Sequence, residues 1–161
     1  MRLRAGRLED MAALARLHRD TVRTSLPFLP ELHTPQEDVA FFSEVLFAKA
    51  QVWLAEDEAG EPLGYVAFRP DFIEHLFVRP ASQGEGVGVR LLEKALEGAR
   101  ELTLWTFQAN TRARRFYERH GFTAVTFTEG EDNEEKMPDV LYRWVRAADD
   151  PIGPAVTYRM P

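Results

Sequence analysis

The sequence contains no cysteine, which excludes a thiol nucleophile, a disulfide framework and a thiolate zinc site. Its four histidines are scattered and show no metal-binding spacing such as H-x-x-x-H, so we expect no metal centre. No apolar run approaches the roughly 18 residues that span a bilayer. The N-terminal residues also lack the apolar segment of an export signal. We therefore expect a cytoplasmic protein without a membrane partner.

The chain also has no excess of positive charge, because 26 acidic residues outnumber 20 basic ones and give a formal net charge of −6. Such a chain has no long-range attraction for polyanions, so we expect no nucleic-acid partner. A length of 161 residues suits one globular domain. At this size, folding buries about 70% of the surface that an unfolded chain exposes. We expect one domain over residues 1–146 and an irregular tail over residues 147–161.

Hydrophobic periodicity predicts four amphipathic helices and seven strands. A capping box at Thr34–Glu37 marks the start of the second helix, and Asn110 is positioned to cap the fourth. Short connections require antiparallel neighbours, whereas the third helix crosses over between two parallel strands. The helices are predicted to begin near residues 11, 34, 87 and 110, and the strands to occupy 2–5, 51–56, 63–69, 72–78, 102–107, 122–128 and 140–145.

A glycine-rich turn with Gly84, Gly86 and Gly88 joins the fourth strand to the third helix. Its backbone N–H groups, together with the positive end of the helix dipole, favour an anion. The turn has neither the G-K-[ST] of a P-loop nor the glycine spacing of a dinucleotide-binding motif. Taken alone, the glycines are equally compatible with a flexible turn that caps a helix.

Two motifs together relate the chain to a known family. Gln83, Gly86 and Gly88 match Q-x-x-G-x-G, and the segment from Asn110 to Phe122 matches N-x-x-A-x-x-F-Y-E-x-x-G-F. The pair resembles the signature of the GNAT superfamily of acyl-CoA dependent N-acetyltransferases. The resemblance implies a single-domain α+β fold with a mixed, mostly antiparallel sheet of about seven strands. Helices would cover both faces, and the fourth and fifth strands would splay apart.

The resemblance also implies a site for acetyl-CoA. Backbone groups at the end of the fourth strand would pair with the pantetheine arm, and the glycine-rich turn would hold the pyrophosphate. Glu85 departs from the family pattern, because a carboxylate opposes diphosphate binding unless it faces solvent. The implied cofactor-binding residues are Leu76, Phe77, Val78, Gln83, Gly84, Glu85, Gly86, Val87, Gly88, Val89, Asn110 and Phe116.

Acetyl transfer to an amine benefits from a base, since an alkylammonium group with a pKa of about 10.4 is almost wholly protonated at pH 7. The resemblance places this base on the fourth strand, where Glu74 is the first candidate and His75 the second. In a regular strand, Glu74 lies on the same side as Leu76 and Val78. Tyr117 occupies the family's position for the acid that protonates the departing thiolate. Alternatively, Glu74 faces solvent and Tyr117 only packs beneath the sheet. Trp105 stands where some relatives carry a glutamate, and we expect its side chain in the core.

The acceptor of such enzymes enters between the first two helices and the loop that joins the last two strands. Phe28 and Leu29 on the first side are apolar, and Glu129 and Glu134 belong to an acidic loop over residues 129–139. Carboxylates beside an entrance attract a cationic amine. The same charges also suit a solvated loop, so both interpretations stay open.

The sequence thus predicts an N-acetyltransferase that moves an acetyl group from acetyl-CoA to a primary amine, with a small cationic amine favoured. The transfer would occur by direct attack in a ternary complex. An alternative within the same fold is acetylation of a protein N-terminus or lysine. A different class of function is a non-catalytic module that senses coenzyme A. A homodimer is also compatible with the sequence, since Tyr158 and Met160 of the tail could cover a partner.

Overall fold

One seven-stranded sheet runs through the protein. The structure, a computed structural model, describes residues 1–152. The strands are β1 (Arg2–Ala5), β2 (Gln51–Glu56), β3 (Pro62–Arg69), β4 (Phe72–Val78), β5 (Glu101–Phe107), β6 (Thr123–Thr128) and β7 (Asp139–Val145). Their order in the sheet is β1-β2-β3-β4-β5-β7-β6. Only β4 and β5 are parallel neighbours in this sheet, as the helical crossover between them requires.

Helices pack on both faces of this sheet. On one face lie α1 (Met11–Ser25) and α2, which consists of Pro35–Phe41, a π-helical segment Phe42–Leu46 and a last turn Phe47–Lys49. On the other face lie α3 (Val87–Leu96) and α4 (Thr111–Arg119). The predicted mixed sheet with helices on both faces is therefore confirmed.

Each face has its own apolar core, and fully burying one large side chain contributes about 1.5–3 kcal/mol. Beneath α1 and α2 the core is built from Met11, Leu14, Phe42, Leu46, Val52, Leu54, Tyr65 and Ala67. Beneath α3 and α4 it is built from Val66, Phe68, Ile73, Leu91, Leu92, Leu102, Leu104, Tyr117, Phe122 and Tyr142.

The predicted helix caps are present. The Thr34 hydroxyl accepts a hydrogen bond from the Glu37 amide at 3.1 Å, and the Glu37 carboxylate accepts one from the Thr34 amide at 3.0 Å. The Asn110 side-chain oxygen accepts a hydrogen bond from the Ala113 amide at 3.2 Å. Such caps satisfy N–H groups that have no partner within the helix. They therefore fix where α2 and α4 begin.

The two parallel strands separate almost at once. β4 and β5 pair at a single register position, Phe72 with Thr103, near the start of both strands. A hydrogen bond of 3.1 Å from the Thr103 amide to the Asp71 carbonyl holds this end. Beyond it, the edge of β4 that faces β5 pairs with no strand of residues 1–152. The predicted splay between the fourth and fifth strands is therefore confirmed.

A β-bulge interrupts β4 at Glu74, which is the extra residue at a register shift against β3. Ile73 packs in the same apolar cluster as Leu76 and Val78, whereas regular alternation would place it on the opposite face. The alternation that predicted Glu74 on the same side as Leu76 and Val78 therefore does not hold, because the bulge rotates the strand between these residues.

Among residues 1–152, no helix is both long and apolar enough to cross a membrane. Tyr158 and Met160, which were considered as dimer contacts, lie outside the described residues. The homodimer and the boundary at residue 146 stay predictions.

Candidate active site

A cavity of about 770 Å³ opens where β4 and β5 separate. Its walls come from the end of α1, the loop after α1, the two splayed strands, and the β6–β7 loop (residues 129–138). The predicted site residues that line it are Leu29, Glu74, His75, Leu76, Phe77, Asn110 and Tyr117. The structure thus brings both candidate bases and the candidate acid to one cavity.

The Tyr117 side chain is 6% exposed and packs between aromatic neighbours, with Phe122 at 5.4 Å and Tyr142 at 6.3 Å between ring centroids. Its hydroxyl forms no hydrogen bond within residues 1–152. Burial raises the pKa of Tyr117 well above its usual value, because the phenolate would be poorly solvated. The hydroxyl therefore stays protonated and is free to donate a hydrogen bond into the cavity.

His75 is half-buried and shares a hydrogen bond of 2.9 Å between its Nδ1 and the Tyr65 hydroxyl. The imidazole of His18 on α1 stacks against it, with ring centroids 5.1 Å apart. Burial lowers the pKa of His75 to about 3 and that of His18 to about 4. Both rings are consequently neutral at physiological pH and form an aromatic wall of the cavity.

Glu74 is the acidic residue of β4. Its carboxylate lies 3.0 Å from Arg69 Nε and 3.5 Å from Lys49 Nζ at the end of α2, and its side chain is 14% exposed. The bulge turns the side chain toward these two cations.

The glycine-rich turn has the geometry of an anion cradle. Gly84 and Gly86 have φ of +82° and +86°, conformations that glycine adopts readily. The amides of residues 84–86 donate no hydrogen bond within residues 1–152, and no side chain caps the start of α3. A Cβ at Gly86 would meet nothing within 4 Å, whereas one at Gly84 would lie 3.8 Å from the Arg112 guanidinium. These groups suit a diphosphate.

Three other residues predicted to bind the cofactor hold the turn and α3 against neighbouring elements. The Gln83 side-chain amide donates to the Val78 carbonyl at 3.0 Å and ties the turn to β4. A Cβ at Gly88 would lie 3.4 Å from the Phe116 ring and 3.7 Å from Val78. Gly88 therefore allows α3 to pack closely against α4 and β4. Neither Gly88 nor Phe116 lines the cavity.

Charges are unevenly paired at the end of the cavity between the α1–α2 loop and the β6–β7 loop, where the sequence predicts that the acceptor enters. Arg19 binds Asp38 at 2.8 Å, and Arg23 binds Glu31 at 2.7 Å. The side chains of two cavity-lining acidic residues form no hydrogen bond or ion pair within residues 1–152. These unpaired acidic residues are Asp132 and Glu135.

The residues predicted for acceptor binding lie mostly just outside the cavity lining. Phe28 packs edge-on against Phe107, which lines the cavity, with 6.4 Å between ring centroids. Glu134 forms an ion pair with His33, and the pair raises the pKa of His33 above its usual value. Glu129 is exposed and does not line the cavity.

Comparison with known proteins now decides the family. Residues 48–124, from the end of α2 into β6, match the family model of the acetyltransferase (GNAT) domain. The chain is 30% identical over 146 residues to the peptidyl-lysine N-acetyltransferase YjaB of Escherichia coli, covering 90% of this chain and 97% of YjaB. The chain belongs to the GNAT acetyltransferase family. It is therefore an N-acetyltransferase.

Solved GNAT structures agree with this membership. The solution structure of apo YjaB from Escherichia coli superposes with a TM-score of 0.76 at 28% identity, covering 91% of this chain and 98% of YjaB. The yncA protein of Salmonella typhimurium, solved with its cofactor acetyl-CoA, has the same fold, with a TM-score of 0.69 at 19% identity over 93% of this chain and 98% of that one. A further relative, Rv2775 of Mycobacterium tuberculosis, is 36% identical over 108 residues, which is 60% of this chain and 62% of Rv2775.

Sequence reasoning missed several residues of this GNAT cavity. Trp105 was expected in the core but is 44% exposed and lines the cavity. Leu102 and Leu104 are buried on the opposite face of β5, so strand alternation could have identified this orientation. No local signal identified His18 or Arg19, because their roles depend on partners elsewhere in the chain.

Proposed function

We propose that this GNAT enzyme transfers an acetyl group from acetyl-CoA to a primary amine of a small cationic compound, by direct attack in a ternary complex. One observation carries the proposal. Tyr117, Asp132 and Glu135 line the same cavity, which opens at the splay of the sheet, and the Tyr117 hydroxyl and both carboxylates form no hydrogen bond or ion pair within residues 1–152.

Acetyl-CoA, when bound, supplies the acetyl thioester. The free amides of Gly84 to Gly86 and the nearby Arg112 would hold its diphosphate. The unpaired edge of β4 from Leu76 to Val78 would accept the pantetheine arm as an added strand. Asn110 would contact the pantetheine through its amide nitrogen, since its side-chain oxygen already caps α4. The presence of acetyl-CoA in the yncA structure supports this assignment.

Tyr117 is proposed as the acid for the leaving sulfur. Acyl transfer breaks the C–S bond as the C–N bond forms, and the departing thiolate then needs a proton. The Tyr117 hydroxyl is protonated, buried in the cavity wall and free of other hydrogen bonds. These properties support a role as proton donor to that thiolate.

Glu74 is the better of the two candidate bases. The Nδ1 of His75 already shares a hydrogen bond with the Tyr65 hydroxyl, and burial lowers the pKa of the imidazole to about 3, so the ring resists taking up a proton. Glu74 lines the cavity and forms an ion pair with Arg69 at 3.0 Å. Because Arg69 and Lys49 hold its carboxylate, we propose that it accepts the proton of the amine through water.

The charges around the acceptor end favour a cation. Arg19 and Arg23 are neutralised by carboxylates, which leaves Asp132 and Glu135 as unpaired charges on the lining. A carboxylate beside a cavity raises the local concentration of positively charged ligands. An acceptor with an additional ammonium group would pair with these residues while its reacting nitrogen lies near Tyr117.

Thiol release from acetyl-CoA tests the proposal directly. The wild-type protein would be assayed against polyamines, aminoglycosides, amino acids and lysine-containing peptides, with coenzyme A binding followed by calorimetry. We expect release with at least one small di- or polyamine. Coenzyme A binding without thiol release from any amine would contradict the proposal and favour a sensor of the cofactor.

Acetylation of protein lysine is the second candidate. It is favoured by the 30% identity to YjaB, which is named as a peptidyl-lysine N-acetyltransferase. In the thiol-release assay it predicts turnover with lysine-containing peptides that exceeds turnover with free diamines.

A further inference from the structure

Two loops meet across the acceptor end of the cavity, although they are about a hundred residues apart in sequence. One is the α1–α2 loop (residues 26–34), and the other is the β6–β7 loop. Their contact is an ion pair between His33 Nε2 and the Glu134 carboxylate. His33 Nδ1 also lies 3.7 Å from Glu37, on the same side of the cavity as itself.

The backbone on the His33 side is held in place. Arg19 donates one hydrogen bond to the His33 carbonyl at 3.1 Å and another to Asp38 at 2.8 Å. The next residue, Thr34, belongs to the capping box that starts α2 with Glu37. His33 therefore projects from a fixed corner between α1 and α2.

The backbone on the Glu134 side is also held in place. The side chain of the preceding residue, Asn133, donates to the Met137 carbonyl at 2.7 Å and to Asp139 at 3.1 Å, and it accepts from the Met137 amide at 3.2 Å. Lys136 adopts a φ of +54° and donates from its Nζ to the Glu131 carbonyl at 2.8 Å. These contacts fold the loop onto itself and present Glu134 toward His33.

The free energy that an exposed ion pair contributes depends on whether the backbones that carry its side chains are already ordered. His33 and Glu134 are 46% and 57% exposed in their side chains, and such pairs contribute little when ordering long side chains offsets the attraction. Here each side chain leaves a backbone that other hydrogen bonds already order. The residues on either side of Glu134 line the cavity, and so does His33. The pair therefore bridges the cavity walls at its acceptor end.

We propose that the His33–Glu134 pair limits the size of the acceptor, so that small amines are enclosed beside Asp132 and Glu135 while lysines on peptides and proteins are disfavoured. This inference rests on the proposed function and specifies its substrate class. A small diamine fits beneath the bridged loops within the cavity of about 770 Å³. A lysine side chain must enter with its peptide backbone, which collides with the bridge unless the loops part.

The test compares two acceptors in wild type and variants. The acceptors are putrescine and a short N-acetylated, C-amidated peptide with one internal lysine. The variants are Glu134→Gln, His33→Gln and their combination, and Glu131→Gln serves as control because it removes an exposed carboxylate from the same loop. Thermal melts verify folding, and kcat/KM for each acceptor and KM for acetyl-CoA are measured.

We expect wild type to prefer putrescine, and either single variant to lower the putrescine-to-peptide ratio of kcat/KM by about ten-fold. The double variant should change the ratio no further, because each single change already breaks the same contact. KM for acetyl-CoA and the ratio for Glu131→Gln should match wild type.

Two results would overturn the inference alone: an unchanged ratio in the single variants, or an equal change in Glu131→Gln, which would indicate a general charge effect. A wild-type preference for the peptide would overturn the inference together with the choice of a small amine as acceptor, and would favour protein lysine. If wild type releases no thiol with any amine, the proposed function fails and the inference fails with it. The two failures are therefore distinguishable.

Discussion

The imidazole rings of His18 and His75 stack 5.1 Å apart, with an angle of 17° between their planes. One ring comes from α1 and the other from β4, and both line the cavity. Each ring lowers the solvent exposure of the other, and protonation of either would place a charge in a poorly solvated site. The pair is therefore a neutral part of the cavity wall at pH 7, and it makes the stability of the fold sensitive to acid at lower pH.

Acid sensitivity follows from the lowered pKa values of this pair. The unfolded chain binds protons on both histidines near pH 6.5, whereas the folded protein does so only near pH 4 for His18 and pH 3 for His75. Stability is therefore complete above about pH 6.5 and declines as pH falls, by up to about 1.4 kcal/mol per pH unit for each histidine. The free energy of unfolding, measured with urea between pH 4 and 7, should depend less steeply on pH in His18→Phe than in wild type. A pH dependence of stability in His18→Phe equal to that of wild type would contradict the assignment.

Tyr117→Phe should lower kcat by about ten-fold or more, because the hydroxyl is the proposed proton donor to the thiolate. The hydroxyl has no hydrogen bond within residues 1–152, so neither the melting temperature nor the affinity for coenzyme A should change appreciably. Steady-state kinetics at saturating acceptor, with calorimetry for coenzyme A, provide the measurement. Wild-type kcat in this variant would remove Tyr117 from the mechanism.

Glu74→Gln should lower kcat/KM for the amine by about ten-fold or more at pH 7, because the amine then loses its proton without an assisting carboxylate. The deficit should shrink as pH rises toward the amine's own pKa of about 10.4, where a base is no longer needed. Glu93→Gln on the exposed side of α3 is the matched control. A deficit that is independent of pH would indicate a structural role for Glu74 through its ion pairs with Arg69 and Lys49.

Gly86→Ala and Gly60→Ala separate backbone strain from cofactor binding. Both glycines have positive φ, +86° and +83°, and neither Cβ would meet an atom within 4 Å. Each substitution should cost about 1–2 kcal/mol of folding free energy through the same strain. Only Gly86→Ala should weaken coenzyme A binding, by about ten-fold or more, since Gly60 belongs to the β2–β3 turn and not to the glycine-rich turn. Equal Kd values for the two variants would contradict the proposed cradle.

Much of the fold was predictable because its signals are local. The capping box at Thr34–Glu37, the cap at Asn110 and the short turns each act over a few residues, so residue type and spacing suffice to locate the elements. The two motifs around Gly86 and Tyr117 identified the family for the same reason. The splay and the parallel pair then followed from the family resemblance and from the crossover.

The arrangement of the site was less predictable. Regular alternation placed Glu74 beside Leu76, but a bulge against β3 changes the direction of its side chain. Trp105 was assigned to the core because large aromatics are usually buried. The helices do not pack over its side of β5. Residue type alone does not predict which part of a strand a helix will cover.

The sequence by itself determined the helices and strands, the glycine-rich turn and the family, since each depends on neighbours along the chain. Only the tertiary structure decided that His18 stacks on His75, that Arg69 and Lys49 hold Glu74, and that His33 meets Glu134. These contacts join residues from separate elements, and their distances, burial and pKa values exist only after the sheet and helices have packed. The type and charge of each residue follow from the sequence, but the electrostatic environment of a group depends on which residues lie near it in the folded protein.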